Sequence, residues 1–250
     1  MLRVVGGSIA NAYDSGAIAS HEPGRCESCP ARVACIAAHL DSAKRRLLPE
    51  YFHTAEPYHA GDYIYRAGDA ADARYHVRSG MFKTYAINAE GDEYVTGIYL
   101  PGDILGHTQE HGQHAETAVA LETASVCVFS EQSIGRCTEP EINVMLLRQI
   151  GEQALRGTLH QLNLKQTSAQ ARFAGFCLLF SRRLVALGRC GAHLPTPMSR
   201  TDIASYLGMT LESLSRVISK LNQMGVVRAT RRHIEILQPE ALQALGLHVS

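Results

Sequence analysis

Between Tyr51 and Ser130 the chain is cut by glycine every 7–12 residues, at Gly61, Gly68, Gly80, Gly91 and Gly102, and four of the five are followed by aspartate. Glycine accepts positive φ and an adjacent Asp bonds the turn backbone, so each Gly-Asp pair marks a tight reversal. Tyr63-Ile64-Tyr65, Tyr75-His76-Val77 and Val95-Thr96-Gly97-Ile98-Tyr99 read as strands between the reversals. Turns at this spacing describe a small antiparallel barrel or roll.

Past Pro140 the period changes. Up to about Ser168 the apolar residues Ile142, Met145/Leu146, Ile150, Leu155, Leu159 and Leu162 read as one helical stripe, interrupted by Gly151 and Gly157. A helix this long with one apolar face needs a partner, either the roll or the same helix of a second chain. Ala169 to Leu187 reads as another helix and Gly188 to Thr196 as a loop. Met198 onward is compact and helical, and Val226 to Leu237 reads as a hairpin with Arg228–Arg232 near its turn.

The 250 residues suit two modest domains, and 46% apolar with 19% charged residues is ordinary for a soluble protein. No apolar run of ~18 residues is present, so no transmembrane helix is expected. Met1 to Ser20 lacks the basic-then-apolar order of a signal peptide, and residues 1–24 are expected to be flexible. The expected location is the cytoplasm. The zero net charge hides an asymmetry: Gln170 to Ile234 carries ten Lys and Arg against two acids, whereas Met1 to Ala169 has 14 against 20. A basic C-terminal module suggests a polyanion partner for that module alone.

Met198 to Leu221 fits a helix-turn-helix. Ser199 can cap the first helix and Thr210 the second. Ile203, Ala204 and Leu207 face inward, Gly208 permits the turn, and Leu214, Val217, Ile218 and Leu221 form the inner face of the second helix. Glu212, Ser215 and Arg216 stand at i, i+3 and i+4, near the end that reaches base edges in the major groove. Arg can bond guanine bidentately and Glu can accept from a cytosine amino group. Ser199, Thr210, Ser213, Ser219, Lys220, Arg231 and Arg232 are candidates for the phosphate backbone. No nucleophile–base pair is visible, so an enzyme is not expected.

This segment resembles the helix-turn-helix of the CRP/FNR superfamily of bacterial regulators. The glycine-punctuated roll and the long central helix follow that family's order over roughly residues 25–240. The resemblance implies an α+β chain with three parts. These are a cyclic-nucleotide-binding-like β-roll sensor domain (25–138, with the cysteine-rich segment), a central dimerisation helix (139–169) and a winged helix-turn-helix (170–250). It implies a homodimer on a double-stranded operator, with RNA polymerase as a further partner.

Members that bind a cyclic nucleotide need a Gly-Glu pair for the ribose and an Arg-Ser pair for the phosphate. Here Gly106-His107 and about Ala115-Glu116 stand at those places. An acid in place of the phosphate-binding Arg repels the ligand, so no cyclic nucleotide is expected.

The seven cysteines offer another signal. Cys26-x2-Cys29-x5-Cys35 gathers three thiols, which suit zinc as well as iron–sulfur chemistry. Together with Cys127, at the end of Ala120-Leu-Glu-Thr-Ala-Ser-Val-Cys127, the spacing resembles the FNR branch. That resemblance implies a [4Fe–4S] cluster held by Cys26, Cys29, Cys35 and Cys127. It further implies oxygen-controlled dimerisation and palindromic TTGAT-type half-sites, read by Glu212, Ser215 and Arg216, at genes of low-oxygen metabolism, activated or repressed. One departure is the segment Ala154–Gly157. The branch often carries an acid there that resists dimerisation, and here Leu155 and Arg156 stand with Glu152 a turn earlier. The alternatives are a haem, zinc or thiol sensor on the same scaffold, or a β-roll ligand-binding protein. Cys177 reads as a buried apolar residue, and His107, His111 and His114 as surface or loop histidines.

Overall fold

The computed structural model describes Cys26, Cys29 and the stretches 31–55, 57–106 and 109–246. Residues 1–24, expected to be flexible, and His107 lie outside the described residues. The chain divides into two compact units between Gln153 and Ala154, within one long helix.

The first unit opens with two short 3-10 turns, Arg32–Ala34 and Ile36–His39, and the one-turn helices α1 (Ser42–Arg45) and α2 (Leu48–Tyr51). Ten strands follow: β1 (His53–Thr54), β2 (Tyr63–Tyr65), β3 (Ala73–Ser79), β4 (Phe82–Ile87), β5 (Glu93–Tyr99), β6 (Ile104–Leu105), β7 (Gln109–Glu110), β8 (Gln113–His114), β9 (Thr117–Ala120) and β10 (Ser125–Ser130). They form two antiparallel four-stranded sheets, β1-β10-β3-β6 and β2-β9-β4-β5, and a β7-β8 ribbon.

Three of the four Gly-Asp pairs make the reversals by one repeated device. Asp62, Asp69 and Asp103 each accept at the carboxylate from the amide three residues earlier, His59 (2.7 Å), Arg66 (2.8 Å) and Leu100 (2.8 Å). The turns therefore close through the side chain as well as the backbone.

Side-chain alternation along the strands sorts two cores. Tyr75, Val77, Val126 and Val128 point between the sheets and pack with Phe82, Leu105 and Ala118. The residues between them point the other way. Phe129, with Cys127 at its side, meets a second apolar cluster of Ile36, Ala37, Leu40, Phe52, Ile104, Ile142 and Leu146. Burying a side chain of this size contributes roughly 1.5–3 kcal/mol. This cluster pins the cysteine-rich segment and the start of the central helix to the outer face of the β1-β10-β3-β6 sheet.

After α3 (Glu131–Gly135) comes the 25-residue helix α4 (Pro140–Leu164). The single stripe expected for it splits in two. Ile142 and Leu146 are buried, but Ile150, Leu155 and Leu162 are exposed. In the first unit Gln149 is buried instead, and in the second unit Asn163 is buried, its Nδ2 donating to Arg172 O at 2.9 Å. At about 100° per residue Ile150 lies ~80° from Ile142 around the helix.

The second unit comprises α5 (Ala169–Ala186), β11 (His193–Pro195), α6 (Arg200–Tyr206), α7 (Leu211–Gln223), β12 (Val227–Ala229), β13 (His233–Ile236) and α8 (Pro239–Leu245), with the sheet order β11-β13-β12. Phe173, Phe176, Phe180, Leu184, Ile203, Leu207, Leu214, Leu221 and Ile234 are buried. Cys177 is fully buried, and burial raises its thiol pKa strongly.

Candidate nucleic-acid interface and cysteine pocket

Ser199 accepts from Asp202 N, and Asp202 accepts from Ser199 N, a reciprocal cap that starts α6. Gly208, at φ +57°, turns the chain, and Thr210 Oγ1 accepts from Ser213 N to start α7. Leu214, Val217, Ile218 and Leu221 are buried, which leaves Glu212, Ser215, Arg216, Ser219 and Lys220 exposed on the opposite face.

Arg216 Nη2 donates to Glu212 Oε1 at 2.5 Å, and both side chains are about three-quarters exposed (75% and 74%). At that exposure the pair contributes little to stability. It does hold the guanidinium along the outer face. Ser215 Oγ donates to Leu211 O at 2.8 Å, so its lone pairs remain available. The hydroxyls of Ser199, Thr210 and Ser213 are engaged in the caps.

Strands β12 and β13 form a hairpin whose turn carries the exposed Arg231 and Arg232. Two bonds fix it to the helices: Arg200 Nη2 donates to Thr230 O, and Ala229 N donates to Asn222 Oδ1 (2.9 Å). Neither link is readable from the sequence, because each joins groups of different elements with no shared period.

The first unit holds a pocket lined by Cys26, Cys29, Arg32, Cys35, Ala37, His76, Arg78 and Cys127. Cys127 pairs with Thr54 on β1 and with His76 on β3. Because Tyr75 and Val77 face the inner core, His76 and Arg78 face outward beside Cys127. All four expected thiols thus line one pocket, with two arginines and a histidine that the sequence does not single out.

Burial pushes the Cys26 thiol up to about 11, and the charges of Cys35 and Cys29 add to this, while Arg78 and Arg45 oppose it. Burial likewise raises Cys127 to about 12, reinforced by Cys35 and Cys29. Burial also raises Cys35. Clustered thiolates repel one another, so these groups stay protonated at neutral pH unless a cation replaces the protons. Among the described residues no three His, Cys, Asp or Glu side chains converge on a single metal ion. Cys137 packs at the edge of the same apolar cluster but does not line the pocket.

The loop histidines divide. His111 is exposed at φ +52°. His114 is 2% exposed and stacks on Tyr65 with centroids 3.7 Å apart, so it is a core residue rather than a surface one. Glu116 is also buried and accepts from Thr96 Oγ1 at 2.5 Å.

Two family models match the chain: a cyclic nucleotide-binding domain over residues 55–140 and a Crp-like helix-turn-helix domain over 171–245. The nitrogen fixation regulation protein FixK of Bradyrhizobium diazoefficiens is 33% identical, over 88% of this chain and 93% of its own length. The chain belongs to the CRP/FNR family. It is therefore a DNA-binding transcription regulator with a β-roll, a central helix and a helix-turn-helix, not an enzyme. The fumarate and nitrate reduction regulatory protein of Salmonella typhimurium is 30% identical over 96% of both chains. Among solved structures, FixK2 from Bradyrhizobium japonicum matches with a TM-score of 0.69 at 27% identity, covering 80% of this chain and 99% of that one. A CRP-family regulator from Thermus thermophilus shares the fold at a TM-score of 0.63 and 20% identity, over 76% of this chain and 96% of that one. Among the described residues no helix is long and apolar enough to cross a membrane.

Proposed function

We propose that this CRP/FNR regulator responds to oxygen through a [4Fe–4S] cluster bound by Cys26, Cys29, Cys35 and Cys127, and that the cluster controls dimerisation and operator binding. The observation that carries the reading is Cys127. It lies far from the other three in sequence, yet its place on β10 puts its thiol in their pocket. The donor set fits the group: the described lining residues bring four thiols and no carboxylate, with Arg32 and Arg78 to balance a net-anionic cluster. Relatives named for fumarate and nitrate reduction, and the anaerobic regulatory protein of Pasteurella multocida, support the same reading.

When bound, the cluster would supply the oxygen-sensitive chemistry. The chain's own residues do the rest. The four cysteines tie the segment 26–40 to β10, and Phe129 beside Cys127 packs in one cluster with Ile142 and Leu146 of α4. α4 also exposes Val144 and Leu147 in the first unit and Leu155 and Leu162 in the second, apolar residues suited to the same helix of a second chain. In the dimer, two α7 helices present Glu212, Ser215 and Arg216 to TTGAT-type half-sites. Ser219, Lys220, Arg231 and Arg232 contact phosphates, with the capped α6 and α7 ends at Ser199, Thr210 and Ser213 alongside. The buried Glu116 disfavours a cyclic nucleotide phosphate in the roll.

The test is an absorbance spectrum and iron assay of protein purified without oxygen. A broad visible band that changes in air, with about four irons per chain, supports the proposal. A colourless, iron-free protein holding zinc refutes it.

A further inference from the structure

Gln149 is a buried amide on a helix that otherwise presents apolar residues to the roll at Ile142 and Leu146, and it is only 7% exposed. Its Nε2 faces three acceptors. It donates to Ala34 O at 3.1 Å and to Gly102 O, and it lies 2.8 Å from His76 Nε2. An amide nitrogen has two hydrogens and no lone pair to offer. His76 Nε2 is therefore the acceptor, its ring is the neutral Nδ1–H tautomer, and one hydrogen is shared. Among the described residues the Gln149 Oε1 atom is buried without a partner, so donation sets the amide's orientation.

These three acceptors are not scattered. Ala34 immediately precedes Cys35, and its carbonyl belongs to the peptide linking the two. His76 is the strand partner of Cys127 and lines the cysteine pocket. Gly102 sits in the turn whose next strand residue, Ile104, is bonded one helical turn further along α4. There Gln153 Oε1 accepts from Ile104 N (2.8 Å) and Gln153 Nε2 donates to Ile104 O (2.8 Å). One side chain on the central helix thus touches the neighbour of one proposed ligand and the partner of another.

We propose that Gln149 is the positioning residue that couples occupancy of the cysteine pocket to the placement of α4. The proposal rests on the cluster reading above. With the four cysteines ligated, the Ala34 carbonyl and the His76 ring hold fixed positions, and the amide locks the helix against them. With the cysteines unligated, the segment carrying Ala34 loses its tie to β10 and keeps its apolar contacts, the Gln149 bond and the Lys44–Glu141 pair, so α4 loses a fixed partner along the arm that dimerises. Coupling of this kind is a ratio of affinities, and it acts equally in both directions.

The experiment is analytical ultracentrifugation of wild type and Gln149→Met, each with and without the cluster, with iron counted in every sample. Methionine keeps the length and removes the amide. In the wild type the cluster-loaded form dimerises more tightly than the cluster-free form. In Gln149→Met at unchanged iron content, that ratio is expected to fall at least about 5-fold toward unity. Two results overturn the proposal: an unchanged ratio, or a uniform weakening of both forms, which marks a merely structural contact. Should the variant fail to fold, hydrogen exchange of wild-type α4 decides. Amides around Gln149 are expected to lose protection when the cluster is removed, and unaltered protection overturns the proposal. A wild type that takes up no iron refutes the cluster reading itself, and a loaded wild type with an unaltered variant refutes this coupling alone.

Discussion

Replacing Gly102 by alanine tests how closely the cysteine segment is seated on the roll. Gly102 has φ +97°, and a Cβ there would stand 2.6 Å from Ala34 Cβ and 2.8 Å from Ala34 O. Two costs follow. An L-residue in the left-handed region costs about 1–2 kcal/mol. The contact also forces the segment outward and disturbs the bond from Gln149 to Ala34, worth about 1 kcal/mol, along with the burial of Ile36 beside it. Gly68 supplies the control, with φ +89° and nothing within 4 Å of the added Cβ. Gly68→Ala therefore carries the strain alone. Urea unfolding of the two variants should differ by about 1–3 kcal/mol, with Gly102→Ala the weaker. Hydrogen exchange should quicken at residues 34–40 in Gly102→Ala only. Equal stabilities, or unaltered exchange in that segment, would refute the seating described here.

Three further outcomes are expected. Arg216→Ala should cost ~1–3 kcal/mol per half-site and relax preference at one base pair, measured by titration against single-base operator variants; uniform weakening on all sequences would contradict base reading. Cys127→Ala should lose its iron after anaerobic purification, whereas Cys137→Ala, outside the pocket, should keep it; the reverse pattern would move the fourth ligand. His114 has its pKa lowered to about 4 by burial, with Arg74 adding, from an ordinary 6.5. The unfolded chain therefore binds the proton first, and stability falls as pH drops from about 6.5 toward 4, by at most ~3 kcal/mol. His76 and His160 are lowered to about 4 by burial as well, so His114→Phe should remove about a third of the total slope in urea titrations across the range, and an unchanged slope would exclude His114 as a source.

What the sequence makes legible is local. The Gly-Asp turns close on residues three positions apart, and the caps at Ser199 and Thr210 likewise reach three residues ahead, so short spacing carries the information. The outer face of α7 follows from one period. The pocket is different. Strand alternation at Val126 and Val128 turns Cys127 outward, but its meeting with Cys26, Cys29 and Cys35 depends on docking of a distant segment. His76 and Arg78 join it only through the β10–β3 register. The central helix departs from its apolar pattern for a physical reason. Apolar counting places Ile150, Leu155 and Leu162 inward, whereas the positions against the roll go to Gln149 and Gln153, which bind backbone groups of a turn that no hydropathy pattern reveals. His114 sits in the core rather than at the surface because it stacks on Tyr65, a strand far away in sequence.

The most direct test of the account is operator affinity of the full chain under anaerobic conditions, on a palindromic TTGAT fragment, before and after exposure to air. Tight binding as a dimer is expected, collapsing toward non-specific affinity as the visible band bleaches. Equal affinity in both states, with dimers throughout, would contradict it.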